Sequence, residues 1–239
     1  MSSGPYRPEF LADLERTISL ARLSRYMRAA GGDQTKALNL YEDNLAISEA
    51  LFGFLHGLEV AVRNSLHNEM TNDLGGIDWL RDGLALPWRT IPRLSFTAPM
   101  NGMINDARRS AGTGAPIGKV IAELPFGFWP SIISSQFHPL WSASLHKAFP
   151  HAHVPRRAVH WRLEVIRRLR NRIAHHEPIL TSRNEVYTGF AAQPTVTLPQ
   201  ILQCVEWISP ATALWMTACT RYNRAVAILT TCNGSGVVL

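Results

Sequence analysis

Lysine is nearly missing from this chain: three residues, Lys36, Lys119 and Lys147, stand against 21 arginines. Cysteine is scarce as well. Cys204, Cys219 and Cys232 are odd in number and lack metal-ligand spacing, so a cysteine metal site is excluded and a reducing cytoplasm is the expected setting. Long apolar runs are absent. The uncharged run 186–205 is broken by Gly189, Pro194 and Pro199, and a second, 207–220, is short and holds Pro210. Neither reads as a membrane helix, which needs ~20 predominantly apolar residues. The start, MSSGPYRPEF, lacks the charged-then-apolar layout of a signal peptide. There is no glycine-rich phosphate loop and no nucleophile elbow. His151 and His153 lie near Pro150 and Pro155 with no cysteine or carboxylate at ligand spacing, so they read as loop histidines and no metal or cofactor is expected.

What is there is an ordinary apolar share, 46%, with 18% charged residues and a net charge of +6 over 239 residues. That length builds one large helical domain or two small ones. The distribution of charge says more than its size. Arg156, Arg157, Arg162, Arg167, Arg168, Arg170 and Arg172 face a single acid, Glu164, so this segment holds the whole excess. Charge patterning alone allows two readings. One is a solvated helix face in an arginine-preferring composition. The other is a phosphate-binding surface, because guanidinium forks match phosphate oxygens. Such charge attracts nucleic acid without distinguishing DNA from RNA.

The hydrophobic pattern is helical throughout, with no alternating strand series. The spacing predicts a helix over 9–29, stopped at Gly31-Gly32, and helical structure over 35–74, ending at Gly75-Gly76. A short helix is expected at 100–110, two more within 116–149 around Pro125–Pro130, and a strong one over 155–177. Residues 178–197 read as loop, with an extended stretch at 185–190, and 198–232 as helix kinked near Pro210. We therefore expect an all-α fold, one helical-bundle domain over 1–239 with additional peripheral helices.

On a wheel of ~100° per residue, Val159, Leu163, Ile166, Leu169, Ile173 and Ala174 gather as an apolar stripe. Arg170 falls inside it, an always-charged group on the face due for burial. Its bland explanation is a packed stem with the head paired to a carboxylate, Glu59 or Glu164. Glu164, Asn171 and His175 line the polar flank, and Arg162, Arg168 and Arg172 point more toward solvent. His175 and His176 occupy the last turn, and Glu177-Pro178 ends the helix, since a residue before proline is pushed out of the α region.

An arginine, an amide and a histidine suffice to cut RNA without metal. The ribose 2′-hydroxyl is the built-in nucleophile; it needs a proton acceptor, a cation near the developing phosphorane and a donor for the leaving oxygen. Arg170 and His175 project ~140° apart on an ideal helix, so a single copy does not bring them together. Two copies of the helix in a twofold dimer would.

The segment RNRIAHHEPI resembles the Arg-x4–6-His signature of the HEPN superfamily. Joined to LPFGFWPSIIS and GLEVAVRNSLHNEM, it is similar to the Abi-like (abortive infection) branch over about 40–185. That resemblance implies a helical bundle, a homodimer with Arg and His facing across the interface, and metal-independent endoribonuclease activity. It further implies a role in phage defence or as the toxin of a toxin–antitoxin pair, with a neutralising protein as partner. Carried over by position, Arg170, Asn171 and His175 form the motif, with His176 as the alternative histidine. Arg162, Arg167, Arg168 and Arg172 would hold the RNA. The competing expectation is a non-catalytic helical module that binds RNA or a protein, since fold does not secure function.

An earlier stretch, LEVAVRNSLHNEM at 58–70, carries similar letters. Leu51, Leu55, Leu58, Val62 and Leu66 form its stripe, with Glu59, Arg63 and His67 following one another along the flank. The spacing is Arg-x3-His in mid-helix, so it reads as scaffold: a Glu–Arg pair with a histidine nearby. Glu59, Arg63 or Glu164 would at most orient Arg170. Phe126, Phe128 and Trp129 read as core rather than as base-stacking rings.

Overall fold

Forty residues without a proline set the longest element. In the computed structural model, which describes residues 8–73, 79–80, 96–179 and 198–234, helix α3 runs unbroken over Gln34–Asp73. Ile47, Leu51, Leu55, Leu58, Val62, Leu66 and Met70 recur at three- and four-residue spacing along it, and all are at most 2% exposed. This helix is long and apolar enough to meet the length-and-composition test for a membrane span. One stripe of it is buried in protein, as in the core helix of a helical bundle, while 33% of the qualifying stretch is buried overall.

The described residues are all α, with no strand among them. Before α3 come α1, Pro8–Ile18, and α2, Leu20–Ala29. The single helix expected at 9–29 is thus two. Ser19, with φ of 76°, breaks it, and its hydroxyl accepts from the Arg22 N–H to cap α2. After α3 come α4, Ala98–Ala111, and α5, Ile117–Glu123. They are followed by α6, Phe128–Ile132, and α7, His138–Ala143. Instead of two helices, 116–149 holds three plus the 3₁₀ turns Ser135–Phe137 and Leu145–Ala148. Pro116, Pro125, Pro130 and Pro139 each fall at or near a helix start, where the missing N–H costs least.

Helix α8, Arg156–Ala174, appears where the strong helix is expected. The C-terminal region is three helices rather than one kinked helix: α9, Leu198–Glu206, α10, Pro210–Ala218, and α11, Thr220–Gly234. The extended stretch expected at 185–190 lies outside the described residues.

Contacts divide the chain into two compact units, and their first two boundaries fall inside α3 and α8 rather than in linkers. The first unit draws on 1–53, 169–198 and 219–239. Leu23, Tyr26, Ala37 and Leu38 are buried together there, with Leu14, Ile18, Met27 and Tyr41 packed against them. Tyr26 and Tyr41 meet edge to face at 5.4 Å. The second unit draws on 54–168 and 199–218. Its core is aromatic: the Trp79 ring lies 6.2–6.4 Å from those of Phe96, Phe128 and Trp129, and the Phe128 ring lies 5.8 Å from Phe96 and 5.2 Å from Trp129. Phe126, Phe128 and Trp129 are at most 2% exposed, so they are core rings as expected. At Gly57 in this unit an added Cβ would lie 2.8 Å from the Met216 Cε, so a larger residue there would have to displace the end of that flexible side chain.

Candidate functional site at the end of helix α8

The stripe on α8 is buried as the wheel predicts: Val159, Leu163, Ile166, Leu169 and Ile173 are all at most 7% exposed, and Val165 joins them. Ala174 departs from the expectation and is exposed, since it belongs to the last turn. Arg170 and Asn171 are half-buried, and His175 and His176 are exposed.

How the helix ends decides what these side chains can do. His176 sits in the left-handed region at φ 56°, the place usually filled by glycine. Its N–H donates to the Ile173 carbonyl at 3.0 Å, and the Glu177 N–H donates to the Arg172 carbonyl at 2.8 Å. Together they form a Schellman-type stop. The His175 N–H still reaches the Asn171 carbonyl at 2.9 Å.

Three side chains then pin the outgoing backbone. Arg172 donates from Nε and Nη2 to the Pro178 carbonyl at 3.2 and 2.9 Å and pairs with Glu177 at 3.5 Å. Asn44, 3% exposed on α3, accepts the Ile179 N–H on its Oδ1 at 2.7 Å. Arg22 of α2 donates from Nη1 to the His176 carbonyl at 2.5 Å. Ser19 and His176 are the two non-glycine residues at positive φ among the described residues, and Arg22 bonds to both. A left-handed non-glycine residue costs about 1–3 kcal/mol and persists only where neighbours hold it. Here the neighbours are identified.

The arginines expected at the phosphates are distributed unevenly. Arg172 has only 14% of its side chain exposed, so its direction is inward rather than toward solvent; the cause is the Pro178 carbonyl. Arg167 grips Glu164 through Nε and Nη2, the shortest contact being 2.9 Å. Its stem lies against Gly127, where an added Cβ would sit 3.4 Å from Cδ. Glu164, considered in the sequence as a partner for Arg170, is therefore engaged one turn earlier. Arg162 donates to Gln203 Oε1 at 3.3 Å and lies 5.9 Å over the Trp161 ring. Arg168 is half-buried.

The look-alike stretch has a different fate. His67 Nδ1 lies 3.2 Å from the Trp79 Nε1, and 3.4 Å from the Thr71 hydroxyl. An indole N–H only donates, so Nδ1 must accept and the ring proton of neutral His67 belongs on Nε2. His67 thus closes over a fully buried tryptophan. Glu59 and Arg63 are half-buried in the second unit, and the Arg63 Nε donates to Asn64 Oδ1 at 3.2 Å.

Sequence reasoning missed Asn44, Arg22 and Trp79. Only Asn44 left a signal there, a polar residue one turn before Ile47 on the apolar stripe of α3. Among the described residues no three His, Cys, Asp or Glu side chains gather as a metal-binding group. No protein family matches the chain, and neither a curated protein nor a solved structure gives a match.

Proposed function

We propose that the protein is a metal-independent endoribonuclease of the HEPN, Abi-like kind, acting from the cytoplasm in phage defence or as a toxin held by a neutralising partner. The observation that carries this reading is the histidine turn itself. Two exposed histidines follow Arg170 and Asn171 on a helix end fixed by Asn44, Arg22 and Arg172. Fixed geometry is what proton transfer in a transition state requires.

In the proposed reaction His175 or His176 accepts the 2′-hydroxyl proton as the 2′-oxygen bonds to phosphorus. The bond from phosphorus to the 5′-oxygen breaks, and a protonated histidine returns a proton to that oxygen. The products are a 2′,3′-cyclic phosphate and a 5′-hydroxyl. Arg170 stabilises the phosphorane charge and Asn171 orients the scissile group. The two roles separated by the helix wheel are supplied by two copies of the chain, His175 from one and Arg170 from the other. The competing reading is a non-catalytic helical module that binds RNA or a protein partner; the intramolecular partners of Arg162, Arg167 and Arg172 weigh against these three arginines as the RNA-holding set in either reading.

The test uses EDTA-treated protein with single-stranded RNA, comparing wild type with Arg170→Ala and His175→Ala. Loss of cleavage in both variants supports the enzyme. Equal cleavage by all three would sink it, and binding without cleavage by any of them supports the module. Light scattering tests the composite site independently, because a monomer at working concentration leaves Arg170 and His175 apart.

A further inference from the structure

Helix α2 is a second arginine carrier that the charge distribution of α8 overshadows. Leu20–Ala29 contains Arg22, Arg25 and Arg28 and no acid. The three recur every third residue and all are exposed, whereas Leu23 and Tyr26 between them are 4–5% exposed. The helix therefore divides into an apolar side spent in the core of the first unit and a cationic side facing solvent.

Its position is fixed by a hydrogen bond, not by sequence. Arg22 reaches the His176 carbonyl with one of its five N–H donors, so the arginine side of α2 begins at the histidine turn. Arg22, Arg25 and Arg172 each pull electrostatically on the Tyr26 hydroxyl, which gathers three cations around one ring. Burial dominates that hydroxyl and, with Tyr41, raises its pKa, so the ring adds no negative charge to offset them.

We propose that the exposed face of α2, Arg22, Arg25 and Arg28, is a phosphate-binding wall that holds the single-stranded RNA entering the histidine turn. This rests on the ribonuclease reading and adds to it. Arg22 itself ties α2 to the His176 carbonyl, so this exposed cationic face stands beside the histidine turn although 154 positions separate the two residues in sequence. Exposed arginines one turn apart suit successive phosphates of a flexible strand, which a guanidinium fork meets bidentately.

The experiment separates holding from cutting by measuring both. Anisotropy of a labelled single-stranded RNA is followed against salt for His175→Ala protein, with and without Arg25→Gln and Arg28→Gln. Glutamine preserves helix propensity at both exposed sites, and circular dichroism checks that each variant is folded. The double variant is expected to bind about tenfold more weakly. Its log–log salt slope should be shallower by roughly 1.4, about 0.7 for each phosphate of a single strand that the protein no longer neutralises. Unchanged affinity and slope would overturn the wall, even where His175→Ala abolishes cleavage and the ribonuclease reading stands. Failure of the His175→Ala parent to bind RNA also overturns it. So does an acidic polyglutamate peptide that binds as tightly as RNA and is lost equally in the double variant, since that assigns the face to a protein partner. A loss of RNA binding in folded Arg25→Gln, Arg28→Gln protein, with cleavage unaffected by His175→Ala, keeps the wall and rejects the catalytic histidine.

Discussion

VRNSLHN on α3 and RNRIAHH on α8 share an Arg-Asn pair and a following histidine, yet the fold uses them oppositely. His67 lies in mid-helix and turns its Nδ1 to the indole of a buried tryptophan. His175 and His176 stand exposed where the helix has stopped, with the backbone around them tied down from two other helices. A histidine whose acceptor nitrogen is taken by a permanent donor is fixed in one tautomer and stabilises the core. In the proposed reaction it is the exposed one on the pinned turn that carries the proton. The residue type is the same; the partner decides its work.

The sharpest break in this contrast is catalytic. His175→Ala is expected to lower RNA cleavage by about 10²–10⁴-fold, the usual range for a general acid or base, with thermal stability near wild type. His67→Phe should do the reverse. The ring volume stays, but the Trp79 N–H loses its acceptor in a site that is 0% exposed. The expected cost is about 1–3 kcal/mol, or about 2–4 °C in Tm per kcal/mol for a chain of this size. Cleavage per folded molecule should hold. Equal activity losses in the two variants would erase the distinction.

Asn44→Leu probes the scaffold of the exposed histidines. It strands the Ile179 N–H, where Ile179 is 0% exposed, and should cost about 1–3 kcal/mol by chemical denaturation. Wild-type stability in this variant would mean that another group satisfies Ile179.

Much of the fold is legible in the residues. The α8 stripe follows from apolar spacing, a local signal; the stop expected at Glu177-Pro178 comes earlier, after Ala174, where left-handed His176 turns the chain. The aromatic segment around Trp129 reads as core because apolar neighbours surround it, and it is buried. What escapes the sequence is tertiary. The Asn44–Ile179 and Arg22–His176 bonds join residues 135 and 154 positions apart, and no local pattern announces either. The break at Ser19 escapes for another reason. Leu11, Leu14, Ile18 and Leu23 hold a helical rhythm across it, while a left-handed serine interrupts the backbone without disturbing that rhythm.

His176→Gly separates the two exposed histidines. Glycine adopts φ of 56° without the Cβ penalty, so the turn itself should gain up to about 1 kcal/mol. If His175 carries the proton, cleavage survives with a raised Tm. Loss of cleavage together with the raised Tm reassigns the chemistry to His176.

The smallest expected effect concerns the histidine within α8, His160, two turns before Arg167 and half-buried. Burial pushes its pKa below the ordinary 6.5, with Glu164 opposing and Arg156 reinforcing the shift. The unfolded chain therefore binds this proton at a higher pH than the folded one. Stability from keeping His160 neutral is fully present above pH 6.5 and is lost as the pH falls below it. Denaturation midpoints of wild type and His160→Gln should converge above that pH and part below it, the variant losing less on acidification. Parallel pH profiles would show that neither state distinguishes the charged ring from the neutral one. The three positions then differ by environment: half-buried with a lowered pKa at His160 within α8, exposed on a pinned backbone at His175 and His176 just beyond its end.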